Sequence, residues 1–127
     1  MKIESVKKYQ NKSVAQLLKI AQKHFNKFIR KRDNVQNCIN CGRFTTLQAG
    51  HFYPTSTHSH LRFDEDNVHG ECLKCNYFNS QSHSYGYRNN LEKKIGTERF
   101  QQLELKAKMK SGKWDRFTLI EIINKYK

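Results

Sequence analysis

The sequence predicts a small α+β protein: a short strand-strand-helix centre held by cysteines, with an N-terminal helix before it and a helical part after it. Three observations carry that prediction. Two Cys-x-x-C pairs, Cys38 with Cys41 and Cys72 with Cys75, bracket the middle of the chain. Between them, β-favouring runs end at Pro54 and at Gly70. On both flanks apolar residues recur at helical spacing. The 127 residues suit one domain, divided into a basic arm and helix over 1–36, the stapled core over 37–84 and a helical part over 85–127.

Residues 1–12 are polar and aperiodic, a basic arm with no legible fold. From Ser13, Val14, Leu17, Leu18, Ala21, Phe25, Phe28 and Ile29 form one apolar stripe. Ser13 and Gln16 fit a capping box, so a helix starts there and ends near Arg32, Asp33 and Asn34. Cys38 to Gly42 fits a metal knuckle, because glycine lets the backbone turn and aim amide groups at thiolates. Thr45 to Tyr53 reads as a strand stopped by Pro54, residues 55–60 as a loop, and Leu61 to Phe63 as a brief extended piece. Asp64 to Asp66 reads as a turn, Asn67 to Gly70 as the second strand, and a helix begins near Leu73. Beyond a polar patch at 79–84, Tyr87, Leu91 and Ile95 mark a helix ending at Gly96. A second helix starts at Thr97 and runs to about Met109, and after a break at 111–113 a last one starts at Asp115 and runs to Tyr126. Phe117, Ile120 and Ile123 of that helix form either an interface or a closing piece of the core.

Charge narrows the function. The net charge of +13 is unevenly spread: residues 1–37 carry ten Lys or Arg against two acids, 38–84 three against four, and 85–127 eleven against five. Basic flanks around a nearly neutral centre suit a protein whose flanks grip a polyanion, with solvated lysine faces as the plain alternative. No apolar run is long enough to cross a bilayer, and the start of the chain does not read as a signal peptide. The expected setting is the inside of a cell, where paired cysteines hold metal more often than they form disulfides.

Two Cys-x-x-C pairs with thirty residues between Cys41 and Cys72 match a closed structural Zn2+ site. Four thiolates leave zinc no open position, which argues against a catalytic zinc. Inside the staple lie His51 and Asn67, with Asn76 directly after Cys75. A histidine near its ordinary pKa can take a proton from water, and an asparagine oxygen suits Mg2+ or Mn2+ or can fix an imidazole tautomer. Those residue types alone are weak, since a core or surface histidine is the default.

Order and spacing add more. His51, Asn67 sixteen residues on, and Asn76 nine further beside a Cys-x-x-C resemble the ββα-metal, HNH or His-Me finger, nucleases. A four-cysteine site with a Cys-Asn step is similar to the Holliday-junction endonuclease VII of T-even phages. Across residues 38–105 the stretches QAGHFY over 48–53, LRFDEDNVHGECLKCN over 61–76, and Tyr87-Arg88, Leu91 and KIGTE over 94–98 look like the NinG, or Rap, family of lambdoid phages.

That resemblance implies a zinc-stapled ββα-metal core and a recombination endonuclease that cuts branched DNA, such as Holliday junctions and D-loops, with Mg2+ or Mn2+. It implies His51 as general base, Asn76 as ligand of the catalytic ion, and Asn67 as the residue that orients His51 or braces the loop. His69 would touch phosphate or support the site. Two departures stand out. Residue 50 is Gly where many HNH nucleases place a metal ligand, so Asn76 would share the ion with Gln48, a backbone carbonyl, Asp64, Asp66, or water and phosphate. The patch after Asn76 also lacks a Lys-Ser-Gly.

Arg62, Lys74 and Arg88 are candidates for DNA backbone contacts near the site. Lys19, Lys23, Lys27, Arg30, Lys31 and Arg32 are candidates for a neighbouring duplex arm. His58, His60 and His83 read as exposed titrating groups or phosphate contacts. The expected partners are DNA, a second copy of the chain because a junction needs two cuts, and phage or host recombination proteins, in the host cytoplasm and without a membrane. Two other classes remain: a non-catalytic zinc module that binds DNA, and a less selective HNH nicking enzyme.

Overall fold

The computed structural model describes residues 3–78 and 85–127, and its helices and small sheet fit the α+β expectation. Where the sequence reads as one domain, the chain forms two compact units, one from Met1–Phe28 with Gly112–Lys127 and one from Ile29–Ser111.

The first unit is helical. It holds α1 (Ile3–Lys8), most of α2 (Val14–Arg32) and α6 (Arg116–Tyr126). The capping box at the start of α2 is present: Ser13 N donates to Gln16 Oε1 at 2.8 Å, and Gln16 N donates to Ser13 Oγ at 3.1 Å. Asp115 caps α6 by accepting from Thr118 N at 2.9 Å. Leu17, Ala21 and Phe25 of α2 and Leu119, Ile120 and Ile123 of α6 are fully buried. Tyr126 meets Phe25 edge-on and lies against Phe28, each at 4.9 Å between centroids. Ile120 and Ile123 therefore close a core, whereas Phe117 is 51% exposed. Helix α1 was not legible because it has six residues and buries none of them. Arg116 ties the turn after it by donating to the carbonyls of Tyr9 at 3.0 Å and Lys12 at 3.1 Å.

The second unit carries β1 (Leu47–His51), β2 (Val68–Cys72), α3 (Leu73–Phe78), α4 (Tyr85–Ile95) and α5 (Thr97–Ala107). The strands pair antiparallel, with Leu47 opposite Cys72, Gln48 opposite Glu71, Gly50 opposite His69 and His51 opposite Val68. Two boundaries differ from expectation. Strand β1 stops at His51, because Phe52 turns into the core while its N–H takes the Asn67 carbonyl at 2.8 Å. Strand β2 runs to Cys72 rather than Gly70 and passes directly into α3. Leu61 lies not in an extended piece but at the end of a 3-10 turn, Ser59–Leu61, which buries it. Its neighbours in the core are Ile39, Phe52, Tyr87, Leu91, Ile95, Phe100 and Leu103, so the hairpin loop and helices α4 and α5 share one apolar cluster.

Candidate functional site

The four cysteine sulfurs all lie within 4.8 Å of one another. A tetrahedron of thiolates about 2.3 Å from zinc has S···S edges of about 3.8 Å, and Cys41 Sγ stands 3.8 Å from Cys72 Sγ. Backbone amides point at the sulfurs: Cys72 N donates to Cys38 Sγ at 3.2 Å, Cys41 N to the same sulfur at 3.5 Å, and Cys75 N to Cys72 Sγ at 3.5 Å. Gly42, at φ 78, makes the turn that the first knuckle needs. Its N–H meets the Cys38 carbonyl, and Cys38 N meets the Arg43 carbonyl, each at 2.9 Å. The donor set and spacing fit a structural zinc, and the four cysteines can hold one. Its chemical contribution is to tie the 38–41 loop to the start of α3.

His51 ends β1 and is half-buried. Its Nε2–H donates to the Arg62 carbonyl at 3.0 Å, which fixes the tautomer and leaves the Nδ1 lone pair without a partner among the described residues. Burial lowers its pKa, the Arg62 charge adds to that, and the Arg62 carbonyl partly offsets it. The ring is therefore neutral at neutral pH, as a proton acceptor must be. Its platform is held from two sides. Tyr87 Oη, buried under β1, donates to the Gly50 carbonyl at 2.6 Å. Asn67, 0% exposed, clamps the loop that carries Arg62. Its Oδ1 accepts from Tyr53 N at 2.8 Å, and its Nδ2 donates to the carbonyls of Tyr53 and Leu61, each at 3.1 Å. The hydrogen bonds of the Asn67 amide go to this loop, and among the described residues none goes to the imidazole.

His69 is 1% exposed and both ring nitrogens are engaged. Nδ1 accepts from Arg32 Nη2 at 3.0 Å, and Nε2–H donates to the Asp66 carbonyl at 2.9 Å. Burial and the charges of Lys94 and Arg32 push its pKa down to about 3. A ring so enclosed has no route to a phosphate, which corrects the DNA contact expected at this position and leaves the supporting role. Arg32 is corrected in the same way. Rather than tracking a duplex, it pairs with Asp33 at 2.9 Å and donates to the carbonyls of Glu65 at 3.0 Å and Val68 at 2.7 Å. Asp33, 1% exposed, also meets Lys94 at 2.9 Å and accepts from Gly70 N at 2.7 Å. Although burial alone would raise it, bonds from Arg32, Lys94 and Gly70 hold its carboxyl far below the usual range. Sequence reasoning missed this hub, since an Arg-Asp step at a helix end reads as a solvated turn.

Asn76, on α3, donates from Nδ2 to Gln48 Oε1 at 3.0 Å, so the expected Gln48 neighbour is in reach. Asp64 and Asp66 are turned to α5, where Lys106 meets Asp64 at 3.2 Å and Arg99 pairs with Asp66. A carboxylate not considered from sequence stands closer to Gln48: Glu71, its register partner, 4% exposed. Burial raises the Glu71 pKa, and a 3.1 Å hydrogen bond from Asn40 Nδ2 to Oε2 partly offsets this. A Cβ on Gly50 would collide with that carboxylate and lie 2.9 Å from Glu71 Cβ. The signal was present in the period-2 alternation, but only the register reveals it.

Among the basic candidates, Lys23, Lys27 and Arg30 are exposed on α2 and Lys74 on α3, while Arg62 is half-buried. Arg88 lies over the Phe100 ring at 5.0 Å and 3.7 Å from Glu104, so it is partly engaged. His60 is not a free surface group: Nε2–H donates to the Lys106 carbonyl at 2.7 Å, and Nδ1 meets Ser111 Oγ at 2.6 Å. His58 packs on Tyr53 at 4.9 Å. His83 and the 79–84 patch lie outside the described residues. Among those described, no helix is long and apolar enough to cross a membrane.

Fold and site together define an α+β protein whose hairpin carries a four-cysteine cluster able to hold a metal at its Cys72 end and a histidine at its other end. A family model described as the bacteriophage lambda NinG protein matches residues 2–127, and the chain belongs to the NinG family. The ninG protein of Escherichia phage 933W is 42% identical over 89 residues, which is 68% of this chain and 44% of that protein. The ninG proteins of Escherichia phage lambda and Salmonella phage P22 are each 40% identical over 89 residues, 68% of this chain and 43% of theirs. The match thus covers less than half the length of these relatives. No solved structure matches the chain.

Proposed function

We propose that this chain is a metal-dependent, structure-specific DNA endonuclease of the HNH type, cutting branched recombination intermediates such as Holliday junctions and D-loops. One observation carries the reading: a half-buried, neutral His51 held through Nε2 by the Arg62 carbonyl, with Nδ1 left to accept a proton. In this reading Nδ1 takes a proton from a water as its oxygen attacks phosphorus, and the P–O bond to the leaving sugar oxygen breaks, that oxygen taking a proton from solvent. The imidazolium formed strengthens the Nε2–H bond to Arg62, because a charged donor bonds more tightly than a neutral one. Asn67 acts through the loop, holding the Arg62 carbonyl where His51 needs it. Mg2+ or Mn2+, when bound, supplies a Lewis acid for charge on the phosphoryl oxygens. The amide oxygens of Asn76 and Gln48 are of the hard-donor type such an ion takes. Arg62, Lys74, Arg88, Lys23, Lys27 and Arg30 would meet DNA phosphates, and two symmetric cuts call for a homodimer.

The test incubates zinc-loaded protein with a four-way junction and the matching linear duplex, in Mg2+, Mn2+ or EDTA, beside His51→Ala. Metal-dependent junction nicks that vanish in the variant, at unchanged zinc content, are expected. Equal cutting of the duplex would move the reading to a general nicking enzyme. Tight junction binding without cleavage in either metal would replace it with a non-catalytic zinc DNA-binding module.

A further inference from the structure

The HNH reading leaves one gap on this chain: position 50, where a carboxylate or imidazole ligand would stand, is glycine. The structure fills that space from the other strand. Glu71 faces Gln48 across the hairpin, and side chains of a facing pair lie on the same side of the sheet with Cβ atoms about 5 Å apart. Residues 48 and 50 share that side, as do 69 and 71. The absent side chain of Gly50 is what admits the Glu71 carboxylate, since a Cβ there would collide with it.

We infer that Glu71 supplies the anionic ligand to a hard divalent cation held with the amide oxygens of Gln48 and Asn76, a carboxylate delivered by β2 in place of one from β1. This rests on the nuclease reading for its purpose, but the binding claim stands on its own geometry. Asn40 takes only Oε2 of the carboxylate, and Oε1 receives no hydrogen bond from any described residue. Glu71 is 4% exposed as a residue, yet its free oxygen is not sealed from solvent, so the carboxylate is held in place with one oxygen open to a cation. The neighbouring side chains that are already hydrogen-bonded to each other, Gln48 and Asn76, are at the exposed margin, where an ion can enter. All three offer oxygen, the donor that Mg2+ and Mn2+ prefer, and none offers sulfur, so the site is chemically separate from the four-cysteine cluster.

The rival explanation is that Glu71 only steadies the first knuckle through Asn40. Mn2+ binding separates the two, read by the loss of the free-ion signal in electron paramagnetic resonance on DNA-free, zinc-loaded full chain. Zinc content and thermal unfolding are followed on the same samples. The wild type should bind one Mn2+, Glu71→Gln should bind it at least about tenfold more weakly, and the exchange Gln48→Glu with Glu71→Gln should restore most of the affinity. His51→Ala should bind as the wild type does. Wild-type affinity in Glu71→Gln, no Mn2+ bound by the wild type, or loss without recovery in the exchanged pair would each overturn the proposal. Glu71-dependent Mn2+ binding by a protein that cuts no junction would leave this site standing and remove the nuclease reading. Junction cleavage with Glu71-independent Mn2+ binding would do the reverse.

Discussion

His51 and His69 stand on neighbouring rungs of one two-stranded hairpin, His51 opposite Val68 and His69 opposite Gly50. Both are drawn below the ordinary imidazole pKa, and burial is the first cause for each. They differ in what their second nitrogen does. At His69 a guanidinium donates to Nδ1 while Nε2–H holds a carbonyl, so the ring is a bracket between Arg32 and the Asp66 turn. At His51, among the described residues, only Nε2 is held. Burial alone does not tell a structural histidine from a reactive one; the count of engaged nitrogens does. The strongest way to break the contrast is to remove what sets the register. Stripping zinc with a chelator forfeits roughly 10 to 16 kcal/mol in comparable small metal sites, and Cys72→Ser forfeits part of that. Both rings should then titrate together near the ordinary value, which histidine proton shifts in NMR would report. Two still-separate titrations after zinc loss would mean that the hairpin does not depend on the staple.

A smaller break acts on one ring through its support. Asp33→Ala leaves Lys94 and Arg32 without their carboxylate and Gly70 N–H without its acceptor, a loss of about 3 to 5 kcal/mol for a broken buried ion pair. Thermal unfolding should show it. His69, which loses the one nearby negative charge that favours its protonated form while Arg32 and Lys94 keep theirs, should fall further in pKa relative to His51. A variant as stable as the wild type would remove the hub from the account of why His69 is closed.

Acid probes the same ring without a change in packing. The folded pKa of His69 is about 3 and the unfolded one about 6.5, so the unfolded chain binds the extra proton between those values. The sign follows: the stabilisation is fully present above about pH 6.5 and is lost as pH falls toward 3. Between pH 6 and pH 4 the loss is about 3 kcal/mol, at about 1.4 kcal/mol per unit. Denaturant unfolding of wild type and His69→Gln across that range should show a flatter slope in the variant, and the difference cancels whatever the thiolates contribute. Parallel slopes would show that His69 is not held neutral.

What the residues foretold, and what they did not, divides along the same line. Helices whose signal is local were legible: the Ser13 and Gln16 box, the Asp115 cap and the stripe of Leu17, Ala21 and Phe25 each span only about one or two turns of a single helix. So was the cysteine cluster, because a metal knuckle is a short-range pattern. The hub of Arg32, Asp33, His69 and Lys94 was not, since it joins residues more than thirty positions apart whose local sequence looks solvated. Glu71 beside Gly50 was missed for a related reason. Which residue faces which across a hairpin depends on register, and with a loop of sixteen residues between the strands, turn chemistry does not set it.

The finest test compares two ways of holding the loop that carries the Arg62 carbonyl. Asn67 spends its whole amide on that loop, with three hydrogen bonds in the core. Lys106 reaches Asp64 from the surface at 3.2 Å with its own side chain half exposed. Each buried bond is worth roughly 1 kcal/mol net, and more where a partner is left unsatisfied, so Asn67→Ala should cost about 2 to 3 kcal/mol. It should also free the His51 ring and bring its pKa back toward the ordinary value. Lys106→Ala should cost less than about 1 kcal/mol, because solvent screens the pair and the lysine regains its freedom, and the His51 titration should not move. Were Lys106→Ala to shift His51 as far as Asn67→Ala does, the loop would be held by charge at its rim rather than by the buried amide, and His51 would owe its fixed tautomer to α5.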